Sequence, residues 1–258
     1  MTRAARQKAK ERIDSLLVAR GLINSRHRAQ AVLLAGSVRV DGATVTKPGA
    51  LVRPDANLEV VQQPLFVSRG GDKLAWALSA FAIDVQGFTC LDAGASTGGF
   101  TDCLLKAGAR RVYAVDVGYG ELDFRLRQDE RVIVMERTNA RDLAPLPEAC
   151  DLATIDVSFI GVEKVVPAVL RSLRPGGRLV VLVKPQFQGR RDEVGKNGVV
   201  RDPLTHAAIL GRVIAWSTDQ GLRLRGLTTS PLLGPAGNKE FFLHLEYIVD
   251  KGPEMMLS

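Results

Sequence analysis

Two charged residues stand at the ends of neighbouring candidate strands in this 258-residue chain. Asp156 closes a strand predicted over 152–156, and Lys184 closes a nearly all-apolar strand predicted over 179–184. Because parallel strands end at one edge of their sheet, the pattern predicts that this carboxylate and this amine lie close together. A charge at the end of a buried strand has to be paired or exposed, so the two groups form either a reactive site or a structural ion pair.

Lys73 and Glu240 are two further charged residues near the predicted strands. Lys73 opens a helix just before the first strand, and Glu240 begins the last one. A single Lys or Glu of this kind is most often a solvated surface residue, so neither indicates a function by itself.

A glycine-rich turn follows the strand predicted over 89–92 and reads LDAGASTGGF from Leu91 to Phe100. Its glycines lack the G-x-G-x-x-G spacing that holds a dinucleotide pyrophosphate, which disfavours a nicotinamide oxidoreductase. The D-x-G-x-x-x-G spacing instead resembles the first motif of class I S-adenosylmethionine methyltransferases, with Ser96 where glycine is common. The alternative is a tight strand–helix turn with an incidental aspartate.

Asp116 closes the next predicted strand, 112–116, and lies 22 residues after Gly94. A carboxylate at this position commonly accepts hydrogen bonds from the hydroxyls of a ribose. The turn and the strand end together predict a site for S-adenosylmethionine. The residues predicted to bind this cofactor are Asp92, Gly94, Ala95, Ser96, Gly98, Gly99 and Phe100 in the turn, Asp116 at the ribose, and Asn139 and Ala140 at the adenine.

Alternating strands and helices after residue 88 must position these side chains. The predicted strands cover 89–92, 112–116, 132–136, 152–156, 179–184, 222–229 and 240–246. The predicted helices between them cover 99–107, 121–128, 162–172 and 204–220. Nearly all-apolar strands are typical of a parallel sheet that helices cover on both faces. The pattern therefore predicts a seven-stranded, Rossmann-like α/β domain.

The N-terminal quarter of the chain has a different pattern. Two short helices are predicted, from Arg12 to Gly21 and from Ser25 to Gly36. Strand-like runs follow at 38–40, 44–46 and 58–61. This segment is predicted to be a small α+β domain.

Charge also separates the two parts. Residues 1–64 hold 11 Lys and Arg against 5 Asp and Glu, whereas the remainder holds 24 against 23. An excess of cations in a small segment indicates either a polyanion-binding domain or a solvated charged face. We predict a small basic domain over 1–62, a linker over 63–67 and the larger domain over 68–258.

Composition bounds the class of protein. Hydrophobic residues make up 46% and charged residues 24% of the chain, which is typical of a folded soluble protein. The sequence has no apolar run that suits a signal peptide or a membrane-spanning helix, so we expect no membrane partner and a cytoplasmic location. Cys90, Cys103 and Cys150 lack C-x-x-C spacing, so we expect neither a disulfide framework nor a metal site.

The chain resembles the TlyA family of ribosomal RNA 2′-O-methyltransferases, also labelled hemolysin A, in an ordered set of segments. These segments are SRGGDKL, LDAGASTGGFTDCLL, AVDVGYG, ERTNARDL, IDVSFI, VKPQF and GNKEFF. The stretch ARGLINSRHRAQAVLLAGSVRVDG resembles the ribosomal-protein-type RNA-binding domain that precedes the FtsJ-like methyltransferase domain in this family. One departure is Gly71-Asp72 before Lys73, where the family more often has Ala-His.

This resemblance implies that Lys73, Asp156, Lys184 and Glu240 form the Lys-Asp-Lys-Glu tetrad of 2′-O-methyltransferases. It also implies S-adenosylmethionine as the cofactor and a ribose 2′-hydroxyl as the methyl acceptor, commonly that of a cytidine in ribosomal RNA or a ribosomal subunit. Lys184 is the expected base, since the hydroxyl must lose its proton as the methyl group arrives. The predicted RNA contacts are Arg20, Arg26, Arg28, Arg39, Lys47 and Arg69.

Two other functions stay open from the sequence. The chain could be a ribosome-assembly factor that keeps cofactor and RNA binding but has little turnover. The hemolysin label suggests membrane lysis, for which the sequence offers no long amphipathic or membrane-spanning element.

Overall fold

The computed structural model describes most of the chain, over residues 9–61, 64–234 and 236–248. It divides into two compact units, Met1–Pro64 and Leu65–Ser258. The division falls inside the linker predicted over 63–67. The first and last residues of the chain, which belong to the predicted domains, lie outside the described residues.

The smaller unit packs two helices against short strands, as an α+β domain does. Its helices are α1 (Ile13–Ala19) and α2 (Arg26–Leu34), and its strands are β1 (Glu11–Arg12), β2 (Val38–Val40), β3 (Ala43–Thr44), β4 (Leu51–Val52) and β5 (Leu58–Val60). Strands β3, β2 and β5 form one antiparallel sheet, and β1 pairs with β4. Ile13, Leu17 and Leu33 are fully buried between the elements. The side chain of Ser25 caps α2 as predicted, because its Oγ accepts a hydrogen bond from the backbone N–H of Arg28 at 3.3 Å.

The larger unit has helices on both faces of one sheet. Its helices are α3 (Arg69–Ala80), α4 (Gly99–Lys106), α5 (Phe124–Arg127), α6 (Val166–Leu170), α7 (Pro185–Gln188) and α8 (Pro203–Asp219). Its strands are β6 (Thr89–Ala93), β7 (Arg111–Val115), β8 (Val132–Met135), β9 (Cys150–Ile155), β10 (Leu173–Val183), β11 (Leu222–Thr229) and β12 (Phe241–Tyr247). Short 3-10 turns lie at Ala140–Asp142 and Val162–Lys164. Two hydrophobic clusters pack on the sheet, one on each side of strands that are buried throughout.

The strand order β11-β12-β10-β9-β6-β7-β8 confirms the predicted seven-stranded α/β sheet. Strands β6 to β10 run parallel, and β12 runs antiparallel between β10 and β11. Strand β6 pairs with β7 on one side and with β9 on the other. The strands that follow β6 in the sequence are therefore added first on one side of it and then on the other. Ligands of such sheets bind in the crevice at this switch point, outside the carboxyl ends of the strands.

Several predicted element bounds were wrong. The helix expected over 121–128 is only one turn, α5, and the helix expected over 162–172 is a 3-10 turn followed by the short α6. Pro167 lies in the first turn of α6, where its missing N–H is tolerated, so the helix starts there rather than continuing through it. Strand β10 begins at Leu173, earlier than predicted, with an irregular register between Leu173 and Arg178.

No helix within the described ranges is both long and apolar enough to span a membrane.

Candidate active site

Two adjoining cavities open at the carboxyl ends of β6 and β9. The larger has a volume of about 710 Å³ and the smaller about 390 Å³. Their shared walls are Gly94, Ser96, Asp156, Ser158 and Phe159. Recesses of this size at a switch point suit two neighbouring ligands of nucleoside size.

Gly94 lets the end of β6 approach the end of β9. Its φ is +92°, and a Cβ placed there would lie 2.6 Å from the backbone carbonyl oxygen of Asp156. Only glycine combines this conformation with this close approach. The floor shared by the two cavities is therefore bare backbone that a ligand can approach closely.

The rest of the turn is held by Asp116. Its Oδ2 accepts a hydrogen bond from the N–H of Ser96 at 2.8 Å, and its Oδ1 accepts one from the N–H of Gly118 at 2.7 Å. Ser96 has a φ of +47°, a left-handed conformation that explains why glycine is common at this position of the motif. Asp116 lines the smaller cavity together with Asn139 and Ala140, so the residues predicted at the ribose and the adenine share one recess.

Asp92 lies beneath the turn and lines neither cavity. Its carboxylate is fully buried and accepts hydrogen bonds from Thr101 Oγ1 at 2.7 Å and Thr154 Oγ1 at 3.0 Å. Burial raises the pKa of Asp92 to about 7, although the two hydroxyl donors oppose the shift. The predicted direct contact between Asp92 and a cofactor thus needs correction, because this side chain has no access to a ligand. It supports the turn by tying β6 to α4 and β9.

The other residues predicted to bind the cofactor in this turn also differ in whether they line a cavity. Ala95, Gly99 and Phe100 line the larger cavity. Gly98 does not line either cavity, because it packs beneath Leu126, whose Cδ1 would lie 2.3 Å from a Cβ at this position.

Helix α3 carries Lys73 to the larger cavity. The helix begins after Ser68, whose Oγ would lie 2.2 Å from a Cβ at Gly99. A Cβ at Gly71 would lie 2.2 Å from the Cβ of Phe66. These two close approaches fix the start of α3 against the glycine turn and against Phe66.

Four charged side chains meet in the larger cavity as two ion pairs. Lys73 Nζ lies 2.6 Å from Glu240 Oε2, and Lys184 Nζ lies 2.6 Å from Asp156 Oδ1. Lys184 Nζ also donates a hydrogen bond to Ser158 Oγ at 2.9 Å. The side chains of Lys73 and Lys184 are 12% and 11% exposed, so both amines are largely withdrawn from solvent.

The strand register explains how distant parts of the chain reach this cavity. Val183 at the end of β10 pairs with Phe241 at the start of the antiparallel β12. Lys184 and Glu240, the next residues outward, therefore leave the sheet at the same edge. Because β9 lies beside β10 and runs parallel to it, Asp156 follows at that edge as predicted.

This arrangement can hold and move a proton. Each amine faces one carboxylate in a recess with little solvent, and such pairs orient a lysine for proton transfer. Within the described residues, no group of three or more His, Cys, Asp or Glu side chains could hold a metal ion.

Two aromatic side chains near the cavity were not predicted. Phe159 is 90% exposed and has a φ of +64°, a conformation that is costly for a bulky residue. Its ring lies 5.1 Å from the ring of Phe187, and both residues line the larger cavity. An exposed, strained aromatic ring at a cavity mouth indicates a ligand-stacking role, a signal that becomes visible only from the backbone conformation.

Two amide side chains in the larger cavity were also missed. The Oε1 atom of Gln186 is buried and accepts no hydrogen bond from the described residues. Asn238 is held at both ends of its amide, because its Nδ2 donates to Gly198 O and its Oδ1 accepts from Val200 N, both at 2.9 Å. Asn238 thereby holds the segment that contains Gly198 and Val200 against the cavity, which Gly198 lines.

Two of the predicted RNA contacts in the smaller unit have structural partners. Arg20 donates to the backbone carbonyls of Pro54 and Ala56. The Nε of Arg26 lies 3.1 Å from Asp14, a fully buried carboxylate whose pKa is held well below its usual range, chiefly by its hydrogen bond with a second guanidinium. These two arginines are therefore less free to meet a phosphate than their sequence positions suggest.

The remaining predicted RNA contacts are exposed and form no hydrogen bond or ion pair through their side chains with the described residues. They are Arg28, Arg39 and Lys47 in the smaller unit and Arg69 in the larger one. Arg69 also lines the larger cavity.

Comparison with family models matches both units. The model described as FtsJ-like methyltransferase matches residues 66–247, and the model described as S4 domain matches residues 11–58. The first match includes Lys73, Asp156, Lys184 and Glu240.

Individual relatives match over nearly the whole chain. A Mycobacterium tuberculosis protein named 16S/23S rRNA (cytidine-2′-O)-methyltransferase TlyA is 46% identical over 244 residues, which are 93% of this chain and 91% of the relative. A Brachyspira hyodysenteriae protein named Hemolysin A is 42% identical over 236 residues, covering 90% of this chain and 98% of the relative. A solved structure from Streptococcus thermophilus with a provisional hemolysin name has a TM-score of 0.71 at 42% identity, covering 93% of this chain and 89% of that one.

Proposed function

The chain belongs to the FtsJ-like methyltransferase family and carries an S4 domain ahead of the methyltransferase domain. From this premise we propose that it transfers a methyl group from S-adenosylmethionine to the 2′-hydroxyl of a cytidine in ribosomal RNA. The observation that carries the proposal is the pair of ion pairs in the larger cavity, Lys73 with Glu240 and Lys184 with Asp156, beside a glycine turn. A relative of 46% identity is named for this reaction.

The residues of the smaller cavity fit the cofactor's adenosine. Asp116 keeps acceptor capacity beyond its two backbone donors, since each carboxylate oxygen has two lone pairs, and a ribose needs such an acceptor. The bare backbone at Gly94 leaves room for the chain that continues toward the larger cavity. When bound, S-adenosylmethionine supplies a methyl group on a positively charged sulfur.

Lys184 is the proposed base. In its neutral form its Nζ takes the proton of the ribose 2′-hydroxyl, so that the oxygen gains an electron pair for bonding to the methyl carbon. Asp156 and Ser158 hold this amine on two sides at 2.6 and 2.9 Å, which fixes its direction toward the cavity. Lys73 and its partner Glu240 line the same cavity and orient the acceptor ribose.

The smaller unit is proposed to bring the substrate. Its exposed Arg28, Arg39 and Lys47 offer cations to the phosphates of ribosomal RNA, free or in a subunit. Because ribosomes are assembled in the bacterial cytoplasm, we propose that the protein works there.

The test is methyl transfer from tritiated S-adenosylmethionine to ribosomal subunits purified from a strain that lacks this gene. We expect tritium in the RNA and 2′-O-methylcytidine in its nuclease digest by mass spectrometry. Subunits from the parent strain, already modified, are the control and should accept little label. Label on a base, or no label in RNA from the deletion strain, would contradict the proposed function.

A further inference from the structure

We propose that Gln186 distinguishes cytidine from uridine at the methylated position by accepting a hydrogen bond from the exocyclic amine of cytosine. The inference rests on the proposed function and names the residue through which that site recognises the base. It makes Gln186 a specificity residue rather than a participant in proton transfer.

The first observation is the unsatisfied oxygen of Gln186. This residue lies in α7, two positions after Lys184, and lines the larger cavity. Its Oε1 is buried and accepts no hydrogen bond from the described residues. A buried acceptor without a donor is destabilising unless a ligand supplies one, so the position favours a ligand with an N–H or O–H group.

The second observation is that several other acceptors of this cavity already face a group of the protein, although Asp156 Oδ1 does so only as an ion pair and accepts no hydrogen bond from the described residues. Asp156 and Glu240 each face a lysine amine at 2.6 Å. Ser158 Oγ accepts from Lys184, and Asn238 Oδ1 accepts from a backbone N–H. A base amine that enters the cavity therefore finds at Gln186 a buried oxygen that faces neither a cation nor a hydrogen-bond donor among the described residues.

The third observation assigns Gln186 to the acceptor nucleotide rather than to the adenosine half of the cofactor. Gln186 lines the larger cavity only, whereas Asp116 and Asn139 line the smaller one. Its neighbour Phe187 packs against the exposed ring of Phe159, and together these rings offer a face for a nucleobase. The edge of a base stacked there comes within reach of α7.

Base chemistry then decides between the pyrimidines. Cytosine presents an amine at C4, which donates, and uracil presents a carbonyl oxygen at C4, which accepts. An oxygen facing an oxygen leaves both groups unsatisfied, so uridine is disfavoured. The amide of Gln186 can turn over and present its N–H₂ group instead, which limits the selectivity of the natural residue. A glutamate at this position could not do so.

The experiment measures kcat/KM on two substrates, after the nucleotide that the wild-type chain modifies has been mapped. Subunits from the deletion strain carry either cytidine or, by mutation of the rRNA gene, uridine at that position. Gln186→Leu removes the acceptor, Gln186→Glu keeps it, and Gln128→Leu, at an exposed glutamine that lines neither cavity, is the matched control. Calorimetry measures the Kd for S-adenosylmethionine in every variant.

We expect Gln186→Leu to lower kcat/KM on the cytidine substrate by roughly 10- to 100-fold and to bring the cytidine-to-uridine ratio close to one. Gln186→Glu should keep activity on cytidine and raise the ratio above that of the wild type. The control should keep both rates, and the Kd for the cofactor should stay unchanged throughout.

Several results would overturn the inference while leaving the proposed function intact. These are a wild-type chain that modifies both substrates equally, a Gln186→Leu variant with the wild-type ratio, and a Gln186→Glu variant with a reduced ratio. Weaker cofactor binding in Gln186→Leu would also overturn it, because the amide would then face the cofactor. Absence of methyl transfer by the wild type to either substrate would instead overturn the proposed function and the inference with it.

Discussion

The cations proposed for chemistry in the larger unit and those proposed for RNA binding in the smaller unit are placed in opposite ways. In the larger unit, the amines of Lys73 and Lys184 are nearly buried, and each lies 2.6 Å from a carboxylate. In the smaller unit, Arg28, Arg39 and Lys47 are exposed and form no ion pair with the described residues. Exposed cations attract phosphates without a fixed geometry, whereas buried pairs act through position. Substitutions in the two units should therefore alter different quantities, turnover in one and salt-dependent affinity in the other.

The largest effect should follow from Lys184→Ala. Loss of the proposed base should lower kcat for methyl transfer by about 10²–10⁴-fold, since positioned proton transfer contributes on this scale. The Kd for S-adenosylmethionine should change little, because the amine acts mainly in the transition state. Single-turnover methylation of subunits and calorimetry measure the two quantities.

Lys164→Ala is the matched control for that prediction, because Lys164 is an exposed lysine that lines neither cavity. It should keep the wild-type rate. Near wild-type turnover in Lys184→Ala would show that Lys184 is not the base. The proposed contrast between the buried lysines of the larger unit and the exposed cations of the smaller unit would then fail.

A smaller effect is expected from Asp116→Ala. This change removes the proposed ribose acceptor and the partner of two backbone N–H groups. The Kd for S-adenosylmethionine should therefore rise roughly 5- to 150-fold, which corresponds to a loss of about 1–3 kcal/mol of binding free energy. Calorimetry measures it. At saturating cofactor the rate should recover in part, and an unchanged Kd would show that the smaller cavity does not take the ribose.

Neutralising the smaller unit's free cations should weaken RNA binding without slowing chemistry. The triple variant Arg28→Gln, Arg39→Gln, Lys47→Gln should bind subunits roughly ten-fold more weakly at moderate salt. Its plot of log affinity against log salt concentration should be shallower by about 0.7–0.9 for each phosphate that the variant no longer neutralises. Filter binding over a salt series measures both quantities.

The double variant Arg20→Gln, Arg26→Gln tests the arginines of the smaller unit that already have protein partners. Because these guanidiniums already contact protein groups, their loss should change thermal stability more than it changes the salt slope. Equal slopes for the triple variant and the wild type would place the RNA contacts elsewhere.

The smallest effect concerns Asp92, a buried carboxyl group that forms no ion pair with the described residues. Because burial raises its pKa to about 7, the native state holds a proton between about pH 4 and 7 that the unfolded state has released. The free energy of unfolding should therefore fall as pH rises through this window and level off above it. Asp92→Asn should remove this component, so its thermal midpoint should gain a few degrees relative to wild type between pH 5 and pH 8 by circular dichroism.

Asp219→Asn, at an exposed aspartate, is the control and should follow the wild-type pH profile. If the thermal midpoints of Asp92→Asn and the wild type changed with pH in parallel, the raised pKa of Asp92 would be contradicted.

The sequence was sufficient for groups whose placement follows from strand order. Asp156 and Lys184 end adjacent parallel strands, so their proximity needed only the alternation of strands and helices. The pairing of β1 with β4 could not be predicted, because strands of two residues show no alternation. The start of α6 and the early start of β10 were missed for a similar reason, since their bounds depend on packing and on an irregular register.

Within the site, sequence spacing could not tell which side chains reach a ligand. Asp92 and Asp116 both end or nearly end a strand, yet one turns inward to two threonines and the other lines a cavity. Ser158, Gln186 and Asn238 lie on turns and a one-turn helix, where backbone conformation decides the direction of each side chain. No periodicity encodes that direction.

The close approach of Gly71 to Phe66 limits the order in which substitutions can accumulate in a lineage. A methyl group at position 71 would meet the Cβ of Phe66 at 2.2 Å, and a Cβ atom cannot swing away as the end of a flexible side chain can. Alanine therefore cannot enter at position 71 by itself without forcing α3 or the segment before it to move. The chain near position 66 or the start of α3 must shift with it, so the two positions depend on each other although neither residue belongs to the two ion pairs of the larger cavity.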